Sequence, residues 1–270
     1  MKRELPIFNI NGTEFIVDVE NLQLREKNND NNVISFLAMN EMNRGYQFIY
    51  NTIGNNMSIF AGTDQYNVIV NVPELVDLDP VGMAQKYGCK LEEAKSNTDF
   101  DLMVDQKALN RRMSGILPTI NIEGDLFYVD VAKDCLRPAD DFISNGISFT
   151  EIEERFDEER NAYVIPYDKQ KKEYQKLDYE NITAIPKDLV VVAFPAEYDL
   201  DPIGFNRKYR QREFQTLKEV NVRSHFKADV VSWEEFGMVR LIEENLKKQK
   251  PVNEKMDDKA DKKQRRSRRL

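Results

Sequence analysis

The feature that most constrains this chain is a five-residue stretch, Leu-Asp-Pro-x-Gly, that occurs twice. It occupies residues 78–82 and returns at residues 200–204. Each copy follows an apolar, β-branched run and leads into a short segment that ends in Lys-Tyr. A motif that recurs in the same sequence context indicates an internal repeat, and such a repeat favours a fold made of two copies of one unit.

Other parts of the chain repeat in the same order. Residues 5–19 match residues 117–131 at nine of 15 positions, 112 residues further along. The spacing between matching positions has grown to 122 residues at 68–87 and 190–209, and the polar stretch 169–187 holds the extra length. Surface insertions of this kind are well tolerated. Ordered matches with a slowly growing spacing therefore predict a tandem duplication.

Local patterns predict the strands of each copy. In the first copy, two β-rich runs flank Asn11-Gly12, a pair that favours a two-residue hairpin turn because both residues tolerate positive φ. Gly124 holds the matching place in the second copy. Residues 46–50 and 67–72 are further predicted strands, the second of them bounded by Pro73.

Helices are predicted from caps and from apolar spacing. Asp79 and Asp201 precede a proline and are predicted helix N-caps. Ser35, Ser148 and Ser232 are further candidate caps, the last as part of a capping box. The predicted helices are residues 34–42, 80–87, 91–95, 102–113, 148–156, 210–222 and 232–246.

Together these elements predict an α+β fold: a tandem duplication of a small antiparallel-sheet-plus-helix unit, with a C-terminal helix and a basic disordered tail. The predicted divisions are a first α+β repeat at 1–88, a linker with helical structure at 89–115, a second α+β repeat at 116–210, a C-terminal helical extension at 211–246 and a disordered basic tail at 247–270.

The formal net charge of −8 hides an uneven distribution. Residues 259–270 hold seven Lys or Arg and one Asp, so the rest of the chain is strongly acidic. Such a basic run can bind phosphate backbones by releasing counterions. The alternative is a solvated tail that aids solubility or folds back onto the acidic surface. The predicted polyanion-binding residues are Lys262, Lys263, Arg265, Arg266, Arg268 and Arg269.

Composition bears on location. No apolar run approaches the roughly 20 residues that a membrane-spanning helix needs, so no membrane association is expected. The first residues lack the apolar segment of a secretory signal, and the cytoplasm is the predicted location. The two cysteines, Cys89 and Cys135, hold non-equivalent repeat positions, and no disulfide is expected between them.

We find no catalytic motif and predict no catalytic residue, metal ligand or cofactor. His225, the single histidine, has no repeated counterpart. Asp77, Asp79, Asp199 and Asp201 repeat as Asp-Leu-Asp-Pro, which leaves open a metal-assisted hydrolase, although helix capping explains the pattern well. Aromatic residues of the strands are interpreted as core rather than as a base-stacking platform. They are Phe8, Phe15, Tyr46, Tyr50, Phe127, Tyr128, Tyr163 and Tyr167.

Two stretches carry a resemblance to known proteins. The opening Leu-Pro-x-x-x-Ile-x-Gly-x-x-Phe-x-Val-Asp-Val and the later Leu-Asp-Pro-x-Gly-Met-Ala-x-Lys-Tyr-Gly are similar to those of uncharacterised accessory proteins carried by mobile elements of anaerobic gut bacteria. The second copy departs from the pattern, with Phe205-Asn206-Arg207 in place of Met83-Ala84-Gln85. The resemblance implies a cytoplasmic, non-essential accessory role and assigns no site residue.

The sequence thus favours a non-enzymatic binding or adaptor protein. The duplicated sheets would contact a protein partner, and the tail would bind nucleic acid or an acidic partner. The alternatives are the metal-assisted hydrolase and an inhibitory protein that acts through its acidic surface. The oligomeric state stays open.

Overall fold

A computed structural model of the chain describes residues 3–58, 65–141, 143–214 and 216–248. The chain divides into two compact units. The first contains the described residues up to Leu109 together with Thr216–Asn221, and the second contains the described residues from Asn110 onward except that short segment. Both units combine short helices with largely antiparallel sheets, which confirms the α+β class.

Two sheets form the strand framework of the first unit. Strands β1 (Ile7–Ile10), β2 (Thr13–Asp18), β3 (Gln23–Glu26) and β4 (Val33–Ser35) form an antiparallel sheet in sequence order. The second sheet contains β5 (Asn40–Glu41), β6 (Tyr46–Asn51), β7 (Asn56–Met57) and β8 (Asn67–Val72). Its central strand β6 pairs with β5 and β7 at its two ends and with β8 along its whole length.

The predicted hairpin turn and both further strands of this unit are confirmed. Asn11 and Gly12 both have positive φ, 51° and 90°, and they join β1 to β2 through a tight turn. Inward-facing side chains of the two sheets, Phe15 and Tyr50 among them, are fully buried in one core with Leu75 and Met83.

Five helices follow β8: α1 (Leu75–Leu78), α2 (Pro80–Tyr87), α3 (Leu91–Ser96), α4 (Asp99–Met103) and α5 (Gln106–Met113). The predicted helix at Pro80–Tyr87 is confirmed, and Gly88 ends it in the left-handed conformation. Residues 89–115, predicted as a linker with helical structure, contain α3 to α5. Asp99 and Met103 of this segment are buried, and Met103 belongs to the core of the first unit.

The second unit also has two sheets. Strands β9 (Thr119–Ile122), β10 (Asp125–Asp130), β11 (Cys135–Pro138) and β12 (Ile147–Ser148) form the first, which a later strand extends. Strands β13 (Phe156–Asp157), β14 (Ala162–Asp168), β15 (Glu173–Tyr174) and β16 (Leu189–Pro195) form the second. Glu123 and Gly124, with φ of 51° and 97°, make the turn between β9 and β10.

Short helices and two further strands complete this part of the chain. The helices are α6 (Phe149–Ile152), α7 (Glu197–Leu200), α8 (Pro202–Lys208), α9 (Leu217–Val220), which belongs to the first unit, and α10 (residues 238–248). Strand β17 (His225–Lys227) pairs in parallel with β9, and β18 (Asp229–Val231) pairs antiparallel with β16.

The helices predicted at residues 34–42 and 148–156 are wrong. Residues 34–42 contain the end of β4, a single 3₁₀ turn at Phe36–Ala38 capped by Ser35, and then β5. Residues 148–156 contain α6, a 3₁₀ turn at Glu153–Arg155 and the start of β13. In both places strand pairing on either side of the turn limits the helix to about one turn, because tertiary contacts override local helix propensity.

The predicted helix at 210–222 is also wrong, because α9 is the one helix among the described residues of that range. Arg210 and Asn221 have positive φ, which helices do not allow. Ser232 and Glu235 make the reciprocal bonds of a capping box. However, the left-handed Gly237 interrupts the turn, and α10 begins after it. Among the described helices, none combines the length and apolar character needed to cross a bilayer.

Candidate functional site

The repeated motif forms the same local structure in both units. Asp79 is the N-cap of α2, and its side chain accepts a hydrogen bond of 2.9 Å from the Gly82 N–H. Asp201 is the N-cap of α8 and accepts one of 3.0 Å from the Gly204 N–H. Proline follows each aspartate at the first helical position. Both aspartates are 1% exposed, so each carboxylate needs a partner inside the protein.

That partner is an arginine in each unit. Arg3 donates through Nη1 and Nη2 to the two Asp79 oxygens at 2.6 and 2.5 Å, and this bond raises the pKa of Arg3. Arg112 donates through Nε and Nη2 to the two Asp201 oxygens, both at 2.9 Å. Two parallel bonds to a carboxylate are the strong, directional arrangement that the planar guanidinium allows. Sequence reasoning missed both arginines.

Glycine in the motif makes room for this pair. A Cβ atom on Gly82 would overlap the Asp79 carboxylate and lie 2.8 Å from Nη2 of Arg3. A Cβ on Gly204 would overlap the Asp201 carboxylate in the same way. The motif therefore encodes a helix start that holds a buried Asp–Arg pair. The aspartate caps the helix, the proline is its first residue, and the glycine leaves space for the carboxylate.

The structure brings the four repeated aspartates into no common site within either unit. Asp77 is exposed, and Asp199 lies on α7 with Asn161 Nδ2 3.3 Å from its Oδ2 atom. Across the residues that the structure describes, no group of three or more His, Cys, Asp or Glu is arranged to hold a metal ion.

His225 is exposed on β17, with Nδ1 2.8 Å from Oγ1 of Thr119. Cys89 and Cys135 are free thiols, and burial raises the pKa of Cys135. The strand aromatics lie in the cores. Phe15, Tyr46, Tyr50, Phe127, Tyr163 and Tyr167 are buried, while Phe8 and Tyr128 are half-buried.

Tyr46, on the central strand of the first unit, lies next to a buried cation. The ammonium of Lys218, on α9, lies 4.6 Å from the Tyr46 ring centroid, 3.3 Å from its hydroxyl and 3.2 Å from Oε1 of Glu41. The Lys218 side chain is only 10% exposed. The Tyr46 hydroxyl donates to Asp99 at 2.5 Å, and burial together with the Asp99 charge raises the pKa of Tyr46.

Tyr163 has the corresponding place on the central strand of the second unit. Glu41 is paired across the ladder with Tyr46, and Phe156 is paired across the ladder with Tyr163. The Tyr163 hydroxyl donates to Glu197 at 2.7 Å, and burial together with this bond raises the pKa of Tyr163. No lysine is described over the Tyr163 ring, whereas one lies over Tyr46.

An open pocket of about 460 Å³ lies beside Tyr163. Its aromatic wall contains Phe156, Tyr163, Tyr198 and Phe205, from β13, β14, α7 and α8. Its acidic residues are Glu153, Glu158 and Glu197. The repeat in the sequence matches Tyr163 to Tyr46 as strand positions. The pocket itself has no sequence signal, because its aromatic residues come from four separate elements.

The six predicted polyanion-binding residues, Lys262, Lys263, Arg265, Arg266, Arg268 and Arg269, lie outside the described residues. No protein-family model, curated protein or solved structure matches the chain.

Proposed function

We propose that this chain is a non-enzymatic binding protein made of two copies of one α+β unit, and that the first unit takes up an extended segment of a protein partner along strand β8. Support for the duplication comes from the order of elements. Each unit has a tight hairpin, a second sheet around a central tyrosine-bearing strand, and an Asp-capped helix whose aspartate pairs with an arginine.

The observation that carries the binding proposal is strand addition in the second unit. There, β17 extends the first sheet beside β9, with the Thr119 N–H bonded to the Ser224 carbonyl at 3.0 Å and the Ala228 N–H to the Asn121 carbonyl at 2.9 Å. Strand β18 then extends the second sheet beside β16. One continuous segment, residues 224–231, thus covers an edge of each sheet.

The corresponding edges of the first unit pair with no strand in the part of the chain that the structure describes. Within the described ranges, strand β1 pairs only with β2, and β8 pairs only with β6. Ile69, at the centre of β8, is 68% exposed, whereas Val191 of β16 is 1% exposed. A six-residue edge strand without Lys or Pro is a ready template for pairing with another chain.

The backbone geometry indicates how a partner would pair. Along an antiparallel ladder, successive residues direct their N–H and C=O groups to opposite sides. The Ser58 N–H bonds to the Ile49 carbonyl, so the backbone groups of Ile49 face the β7 side of β6. The alternate residues Tyr46, Phe48 and Tyr50 therefore direct their N–H and C=O groups toward β8. In β8 it follows that Ile69 and Asn71 direct their backbone groups away from β6, toward the open edge.

The chemistry of the edge defines the partner. On β18, Val230 and Val231 pair with Val192 and Val191, so β-branched residues suit this kind of edge. The described residues of the first unit hold 16 Asp or Glu against nine Lys or Arg. The partner is therefore an extended, β-branched segment flanked by basic residues, added antiparallel to β8.

Ile69→Lys tests this proposal, because a lysine on an open edge disfavours strand addition. The matched control is Ile143→Lys, which adds the same charge at a residue 94% exposed in the second unit. We expect wild type and the control to retain from host extract the same protein, identified by mass spectrometry, and Ile69→Lys to lose it. Retention of the same proteins by all three chains would contradict strand addition at β8.

The basic tail supports a second contact, with nucleic acid or another polyanion, and the resemblance to mobile-element accessory proteins supports an accessory role in the cytoplasm. The metal-assisted hydrolase has less support. Both oxygens of Asp79 and of Asp201 are engaged by arginine, so neither carboxylate is open to a metal ion. The same partner-binding experiment would test the alternative that the chain is an inhibitory protein acting through its acidic surface.

A further inference from the structure

We propose that the pocket beside Tyr163 binds an alkylammonium group, as a lysine side chain or a free amine, in the way that Tyr46 of the first unit holds Lys218. The aromatic faces supply a surface of negative electrostatic potential, and the glutamates supply the counter-charge. The pocket, of about 460 Å³, lies within the range of small-molecule sites.

The first unit shows which chemistry suits this place in the fold. Lys218 lies over the Tyr46 ring and pairs with Glu41, while Asp99 accepts a hydrogen bond from the Tyr46 hydroxyl. This arrangement combines a tyrosine face, a pairing carboxylate and a second carboxylate on the hydroxyl. The cation comes from α9, a segment far along the chain that packs into the first unit.

The second unit repeats the tyrosine and the carboxylate on its hydroxyl, while Phe156 holds the ladder position of Glu41 and other glutamates line the pocket. Glu197 accepts a hydrogen bond from the Tyr163 hydroxyl, as Asp99 does from the Tyr46 hydroxyl. Glu153 and Glu158 line the pocket with no ion-pair partner among the described residues. Lys208, the lysine of α8, pairs with Asp134 at 2.7 Å, and the charge of Glu197 also acts on it. The pocket therefore has the carboxylates of a cation site, and none of the described Lys or Arg residues lines it.

Aromatic walls distinguish this pocket from a merely acidic surface. Phe156 and Tyr163 meet edge to face with centroids 5.5 Å apart, and Tyr198 and Phe205 do so at 6.1 Å. Phe156 is 37% exposed although it is large and apolar, because its outer face lies at the pocket. Rings that converge around carboxylates favour an organic cation over a hydrated metal ion, since the alkyl chain contacts the rings while the ammonium meets the glutamates.

The test titrates full-length protein with n-butylammonium, a mimic of the lysine side chain, and follows the aromatic ¹H–¹³C signals by NMR. We expect saturable shifts of the Phe156, Tyr163, Tyr198 and Phe205 signals, and none with 1-butanol, which has the same alkyl chain without the charge. Phe156→Leu and Glu158→Gln should each weaken binding by about threefold or more. Glu234→Gln, at an exposed position away from the pocket, is the matched control and should bind as wild type does.

Two further arms identify the source of the ammonium. Nα-acetyl-lysine amide that binds more tightly than butylammonium would assign the site to a lysine residue. The second arm uses a full-length variant with Gln at the seven basic positions of 259–270. If the protein's own tail fills the pocket, this variant would bind the probe and wild type would not.

Three results would overturn the proposal. They are no saturable shift in either wild type or the tail variant, an equal response to 1-butanol, or unchanged binding in both pocket variants. Glu158 is exposed, so Glu158→Gln keeps the test valid even if Phe156→Leu does not fold.

Discussion

Single residues of the repeated motif each have a definite task. Asp79 and Asp201 cap a helix and bind an arginine with the same carboxylate, and the glycine three residues on leaves space for that pair. Capping alone is worth about 1 kcal/mol. The buried ion pair matters more, because removing one member leaves the other charged and without a partner inside the protein.

We predict that Arg112→Met lowers the free energy of unfolding by about 3–5 kcal/mol, since it leaves the Asp201 carboxylate buried and unpaired. The matched control is Arg111→Met, an exposed neighbour on the same helix, which should cost less than about 0.5 kcal/mol. Urea unfolding measures both. Arg3→Met should cost less than Arg112→Met, because the Arg3 side chain is 30% exposed and that of Arg112 only 10%.

Equal stability of Arg112→Met and Arg111→Met would show that the buried pair has no net role in holding α8.

Helices and strands differ in how far local sequence specifies them. The two hairpin turns, the strands at 46–50 and 67–72, and α2 follow from turn residues, alternation and capping, all of which act within a few residues. The predicted helices at 34–42, 148–156 and 210–222 are shortened because neighbouring strands or left-handed residues compete for the same backbone.

The edges of the second sheets make a prediction for amide exchange. Val191 and Ala193 lie in the ladder with β18, whereas the backbone groups of Ile69 and Asn71 face an edge that pairs with no strand among the described residues. We expect the Ile69 and Asn71 amides to exchange with solvent at least about tenfold faster than those of Val191 and Ala193. The amides of Phe48 and Ile165, in the central strands, correct for any difference in stability between the units.

Equal protection at Ile69 and Val191, after that correction, would mean that β8 is already covered in the free protein. The proposed strand addition by a partner would then lose its basis.

At the scale of the whole molecule, charge separates the acidic units from the basic tail. Residues 259–270 hold seven Lys or Arg, whereas the remainder of the chain is acidic, so we propose that the tail makes any contact with a polyanion. Deleting residues 259–270 removes none of the described residues of either unit.

We therefore predict that the deletion leaves the circular dichroism spectrum unchanged and abolishes salt-sensitive binding to DNA or RNA in an anisotropy assay. A full-length chain with Gln at the seven basic positions should behave as the deletion does, because the charge and not the length is responsible. Unchanged binding after the deletion would contradict the proposal that the tail is the polyanion-binding site.

By itself, the sequence determined the α+β class, the hairpins, and the helix starts at Asp79 and Asp201, because these depend on residues close together in the chain. Tertiary structure alone decided which arginine meets each aspartate, 76 and 89 residues away, and which lysine meets Tyr46, 172 residues away. It also decided which sheet edges are covered and where the aromatic pocket lies. Contacts of this kind join distant segments, and no short-range periodicity records them.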